Sequence, residues 1–102
     1  MTVFYTYYRA PTACDEHCEL ASRQLLKQAK SAGASTTRLY RRVEIDKPYT
    51  TWMEMVELPG EAVTPQAVVA NWQRQLNQWA ALCFASTAYY PDRKLEVFEP
   101  CA

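Results

Sequence analysis

The chain has 102 residues, 49% of them hydrophobic and 13% aromatic, with eleven basic side chains against eleven acidic ones. This length makes one domain with one core, burying about two-thirds of the unfolded surface. A formal charge of zero argues against an electrostatic grip on nucleic acid or an anionic membrane, and two glycines are too few for a phosphate-cradling loop or a dinucleotide fingerprint.

Met1 leads directly into a strand, with no basic and then apolar segment. No secretion signal is therefore expected, and no stretch reaches the roughly 18 apolar residues that would cross a bilayer. A cytoplasmic location follows, with the four cysteines as thiols. Thr2 to Arg9 alternates Phe4, Thr6 and Tyr8 on one face with Tyr5, Tyr7 and Arg9 on the other, a strand buried on both sides. Pro11 ends it, and Thr12 with Asp15 three residues later reads as a helix cap. Cys14, Cys18, Ala21, Leu25, Ala29 and Ala32 recur at helical steps, and Gly33 is the natural stop.

Thr36 to Val43 reads as a second strand, with Leu39 and Val43 on one face and Arg38, Tyr40 and Arg42 on the other. A polar turn over Glu44 to Pro48 joins it as a hairpin to Tyr49–Leu58, the central stretch of the chain. Large residues fall on both faces of that strand, which predicts a cover on each side. Thr64 and Pro65 predict a cap and first turn for a second helix, with Val68, Trp72, Leu76, Trp79 and Cys83 as its stripe. A loop around Tyr89, Tyr90 and Pro91 leads to a last strand, Leu95 to Glu99. The order is β-α-β-β-α-β, a ferredoxin-like α+β domain over residues 1–102, with both helices on one face of a four-stranded antiparallel sheet.

Alternation sorts the strands into two sets. Phe4, Tyr8, Leu39, Val43, Met53, Met55, Leu95 and Val97 are expected to meet the helices. Tyr5, Tyr7, Arg9, Tyr40, Arg42, Trp52, Glu54, Val56, Glu96 and Phe98 are expected on the open face. So much aromatic surface is unusual on a monomer, and an isologous homodimer, sheet against sheet, would cover it.

Tyr7-Tyr8-Arg9, Arg41-Arg42, Thr51-Trp52-Met53-Glu54 and Arg93-Lys94-Leu95-Glu96-Val97-Phe98 together resemble a small proteobacterial family, domain of unknown function 4936. The resemblance spans nearly the whole chain and implies no activity; Lys94 stands where such proteins would have histidine. More distantly the architecture is similar to the dimeric α+β barrels, which include cofactor-free monooxygenases, haem-degrading enzymes and small decarboxylases. That likeness concerns the fold.

Glu54, flanked by Trp52 and Val56, is the catalytic candidate. Desolvated, it would be a general base; paired with Arg9 or Arg42, it would be a buried ion pair. Arg9 and Arg42 offer donor forks for a carboxylate or phosphate unless Glu54 and Glu96 occupy them. Tyr5, Tyr7, Tyr40 and Trp52 suit either a pocket for a flat ligand or a dimer interface. No metal is expected: Cys14 and Cys18 lie on the core stripe, and a closed zinc site needs four ligands. Haem is not expected, since the helical stripe turns His17, the only histidine, away from the cleft, and no cofactor is expected.

The functional expectation is a homodimer with a polar-aromatic cleft for a small aromatic or anionic ligand. The alternatives are a structural dimerisation module and a cofactor-free monooxygenase-like enzyme. RNA binding shares the element order but is disfavoured by Glu54 and the zero charge. Acylphosphatase chemistry lacks its glycine-rich anion loop after Arg9.

Overall fold

The computed structural model describes residues 1–60, 63–85 and 90–101. Strand β1 (Val3–Pro11) runs through a 3-10 turn (Thr12–Cys14) into helix α1 (Asp15–Ser31). Then follow β2 (Thr36–Arg41), β3 (Tyr49–Glu57), α2 (Gln66–Cys83) and β4 (Lys94–Phe98). The strands form one antiparallel sheet in the order β2-β3-β1-β4, the ferredoxin-like arrangement, with β1 and β3 in the middle. The loop position predicted around Tyr89 lies outside the described residues.

Helix α1 ends where the sequence placed its stop. Gly33 takes a φ of +116°, which a side chain would disfavour, while Ala34 N–H reaches back to Ala29 O and Gly33 N–H to Lys30 O. The helix starts differently from expectation. Thr12 belongs to the 3-10 turn, and Cys14 occupies the cap position without a side-chain bond. For α2 the cap position is Pro65, and Thr64 instead accepts a 2.6 Å hydrogen bond from the Thr2 hydroxyl. The stripe of α2 is also shifted by one residue at its start. Val69 packs against the core while Val68 is exposed, and Leu76 and Ala80 are the buried positions. Ala32, expected on the α1 stripe, is exposed, with Ala34 buried in its place.

The core lies between the helices and one face of the sheet. Phe4, Tyr8 and Ala10 of β1 meet Cys18, Ala21, Leu25, Leu26 and Ala29 of α1 and Leu76, Ala80 and Phe84 at the other helix. Burying a side chain such as Phe4 or Leu25 contributes about 1.5–3 kcal/mol, so this layer holds the fold together.

The strand register overturns the face expected for β3. Phe4 pairs with Val56, Thr6 with Glu54 and Tyr8 with Trp52. Residues directly opposite in an antiparallel pair lie on the same face. With Phe4 and Tyr8 under the helices, Trp52, Glu54 and Val56 must be there too, and all three are buried. Met53 and Met55 take the open face, opposite Tyr7 and Tyr5. Hydrophobicity could not choose between the two parities, because one offered Trp and Val around a glutamate and the other two methionines. The pairing partners decided it.

Val43 is a second correction. Strand β2 ends at Arg41, and Val43 in the following turn is 94% exposed. Leu39 does sit against the core as expected.

Candidate functional site

Each strand sends alternate residues to the open face. From β1 come Tyr5, Tyr7 and Arg9; Tyr40 and Met53 sit opposite each other on β2 and β3; Glu96 and Phe98 come from β4, opposite Tyr5 and Val3. Tyr40 and Phe98 are about half exposed, at 48% and 50%. The Tyr5 and Phe98 rings meet edge to face at 5.4 Å.

Two grooves adjoin on this face. One, of about 490 Å³, is lined by Tyr7, Tyr40, Arg41, Arg42, Thr51 and Met53. The other, of about 380 Å³, is lined by Tyr7, Tyr8, Arg9, Arg42, Thr51, Asp92 and Lys94. Tyr7, Arg42 and Thr51 are common to both. The first groove is walled by two tyrosine rings, a thioether and two arginines, the second by two tyrosine rings, three cationic side chains and one carboxylate.

The polar contacts here are spread out. The Tyr7 hydroxyl donates to Glu96 Oε1 at 2.9 Å, and that bond, then the charge of Glu96, raises the phenol's pKa above its ordinary value. Arg9 lies over the Tyr49 ring at 4.7 Å. Arg42 reaches Glu44 only at 3.5 Å, while the Thr51 hydroxyl donates to the same Glu44 oxygen at 3.1 Å. Glu54 therefore does not occupy the donors of Arg9 or Arg42.

Glu54 and Trp52 are on the helix side instead. The Glu54 carboxylate receives a fork from Arg93, with Nη1 to Oε2 at 2.9 Å and Nη2 to Oε1 at 2.5 Å. Ser22 donates to the same Oε2 at 2.6 Å, and Ser22 and Tyr8 share a 2.6 Å hydroxyl bond. Arg93 sits over the rings of Tyr8 at 5.4 Å and Phe84 at 5.0 Å. The side chains of Arg93 and Glu54 are only 8% and 2% exposed. Burial opposes the charge on Arg93, but the bond to Glu54 and its charge outweigh that and hold the guanidinium pKa above its usual value. Burial likewise pushes the Tyr8 phenol well above the ordinary tyrosine range.

Of the residues expected at the site, Tyr5, Tyr7, Arg9, Tyr40, Arg42 and Glu96 belong to the open face or its grooves, whereas Trp52 and Glu54 do not. Sequence reasoning missed Thr51, Asp92 and Lys94 in the grooves and Arg93 as the partner of Glu54. A signal for Arg93 was present: it shares parity with Leu95 and Val97, the inward positions of β4. Cys14, Cys18, Cys83 and Cys101 are free thiols, and no group of three metal-ligating side chains occurs among the described residues. No described helix is long and apolar enough to cross a membrane.

No protein-family model and no curated protein matches the chain, so the family resemblance drawn from the sequence motifs finds no support there. In shape the chain is similar to a provisionally named antibiotic biosynthesis monooxygenase from Nitrosomonas europaea, with a TM-score of 0.59, 18% identity and all of both chains covered. A protein of Arabidopsis thaliana has a TM-score of 0.58 at 12% identity, covering 98% of this chain and 96% of its own. The de novo designed protein Foldit4 matches as well, with a TM-score of 0.60 at 5% identity over 98% of each chain. At these identities the likeness establishes the ferredoxin-like fold. A designed protein among the neighbours shows how far that fold stands apart from any one activity.

Proposed function

We propose that the protein is a homodimer, paired through the open sheet face, that binds a small aromatic carboxylate in the grooves around Tyr7. One observation carries this reading: an apolar trough of Tyr7, Tyr40 and Met53 adjoins a patch in which Arg9, Arg42 and Lys94 outnumber the single carboxylate of Asp92. A flat ring fits the first and its anion the second, where guanidinium groups offer paired donors to a carboxylate. The groove volumes fall within the usual range for small-molecule sites, about 300–1,000 Å³.

A second copy supplies what these grooves lack, a lid. Exposed Tyr40, Met53 and Phe98 form the kind of aromatic surface that a self-complementary partner covers. The same surface supports the alternative of a structural dimer with no ligand, in which partner side chains fill the grooves. Binding rather than turnover is what the residues support. Glu54, the carboxylate first considered as a base, is engaged beneath the sheet by Arg93 and Ser22.

Isothermal titration with benzoate, 2-naphthoate and their neutral amides tests the reading. The acids are expected to bind and the amides to bind at least about tenfold more weakly, the loss of one charge-assisted contact. Equal affinity for acids and amides, or no binding of any of them, would overturn it. Sedimentation equilibrium on the same samples is expected to show a dimer.

A further inference from the structure

The binding reading does not use the Glu54–Arg93 pair, yet its cost needs a reason. Removing two charges from water offsets most of their attraction, so a buried pair adds little over an apolar one of similar volume. What it adds is direction. The ladder between β1 and β4 ends at Tyr7 opposite Lys94, so no strand pairing to β1 holds residues 92 and 93. Pro91 is fully buried, but apolar contact fixes depth without fixing orientation. Arg93 is held by two hydrogen bonds to the two oxygens of one carboxylate and lies over the Tyr8 and Phe84 rings, which meet each other edge to face. Its neighbours on either side, Asp92 and Lys94, both line the groove with Tyr7, Arg9 and Arg42.

We infer that Glu54 and Arg93 are positioning residues for the groove: the fork beneath the sheet sets the orientation of the segment carrying Asp92 and Lys94, and with it one wall of the anion site. Ser22 and Tyr8 extend the same device, because they hold the Glu54 carboxylate that Arg93 grips. Neither Glu54 nor Arg93 would touch the ligand.

The test replaces both charges at once, Glu54→Met with Arg93→Met, which removes the fork without leaving a buried charge unpaired. This double variant is expected to fold with a similar Tm and the same dimer. Its affinity for 2-naphthoate is expected to fall about fivefold, the scale of one exposed ion pair, and Lys94→Ala is expected to do the same. Combined, the three substitutions should cost no more than Lys94→Ala alone, because the fork acts through Lys94. Undiminished affinity in the double variant, or losses that simply add, would overturn the inference. This arm rests on the proposed function. A second arm does not: amide hydrogen exchange of residues 92–95 should quicken in the double variant while β1 and β3 stay protected. If 2-naphthoate fails to bind the native protein, the binding reading falls alone, and unchanged exchange at residues 92–95 would sink the positioning role independently.

Discussion

On the face under the helices, Glu54 is almost wholly buried and both its oxygens are taken, by Arg93 and Ser22. On the open face, Glu96 accepts one bond from Tyr7, and Arg9 lies against a ring rather than a carboxylate. The two faces are one residue apart along every strand, and they treat charge in opposite ways. Where water is excluded, an unpartnered charge is costly, so the partners converge until each oxygen is claimed. Where water competes, exposed pairs contribute little, and donors remain available to a ligand. Concentrated polar bonding thus marks the interior, and loosely engaged cations beside an apolar trough mark the candidate site.

The largest break in this contrast comes from removing one partner of the buried pair. Arg93→Met alone should destabilise the fold by about 3–5 kcal/mol in chemical denaturation, because it strands the Glu54 carboxylate. Glu96→Gln on the open face should stay within about 0.5 kcal/mol. Comparable losses from the two would erase the distinction. Next in size, Tyr40→Ala with Phe98→Ala should weaken self-association by about 2 kcal/mol, roughly thirtyfold, if these rings are interface anchors. Sedimentation equilibrium reads that shift, and an unchanged dissociation constant would count against the proposed sheet-to-sheet dimer. Tyr8→Phe removes the hydroxyl bonded to Ser22 and should cost about 1 kcal/mol, with the ring packing against Phe84 kept.

The smallest effect is a pH dependence. Burial pushes the Cys18 thiol up to about 11 from 9.0. A raised folded-state pKa means that the contribution is complete below the unfolded value and is lost as pH rises through the folded one. Stability should therefore decline from about pH 9 to about pH 11, and less steeply in Cys18→Ala. The buried Tyr8 phenol adds a further alkaline loss in the same direction. Denaturation midpoints between pH 8 and pH 11 measure the slope, and identical slopes in the two proteins would remove Cys18 from the account.

Much of the fold was legible because it is written in local signals. The alternation from Phe4 to Tyr8, the Gly33 stop and the hairpin between Arg41 and Tyr49 each depend on a few neighbouring residues, and each matches an observed element. The caps were less legible: Thr12 and Thr64 have the right chemistry, yet the chain uses them in a 3-10 turn and a contact to Thr2. The site was legible in part. Tyr7, Arg9 and Arg42 follow from strand parity on β1 and the end of β2, whereas Glu54 and Trp52 were placed on the wrong face. A charged residue between large apolar ones is ambiguous until its partner is known, and that partner, Arg93, is 39 residues away.

The sequence by itself determined the element order, the central position of the two richest strands and the presence of an aromatic second face, because periodicity and turn chemistry act over short spans. Which parity of β3 went inward was decided only by tertiary structure. Pairing Tyr8 with Trp52 and Phe4 with Val56 committed Glu54 to the interior, and a long-range fork from Arg93, with the Ser22 hydroxyl, made that burial tolerable.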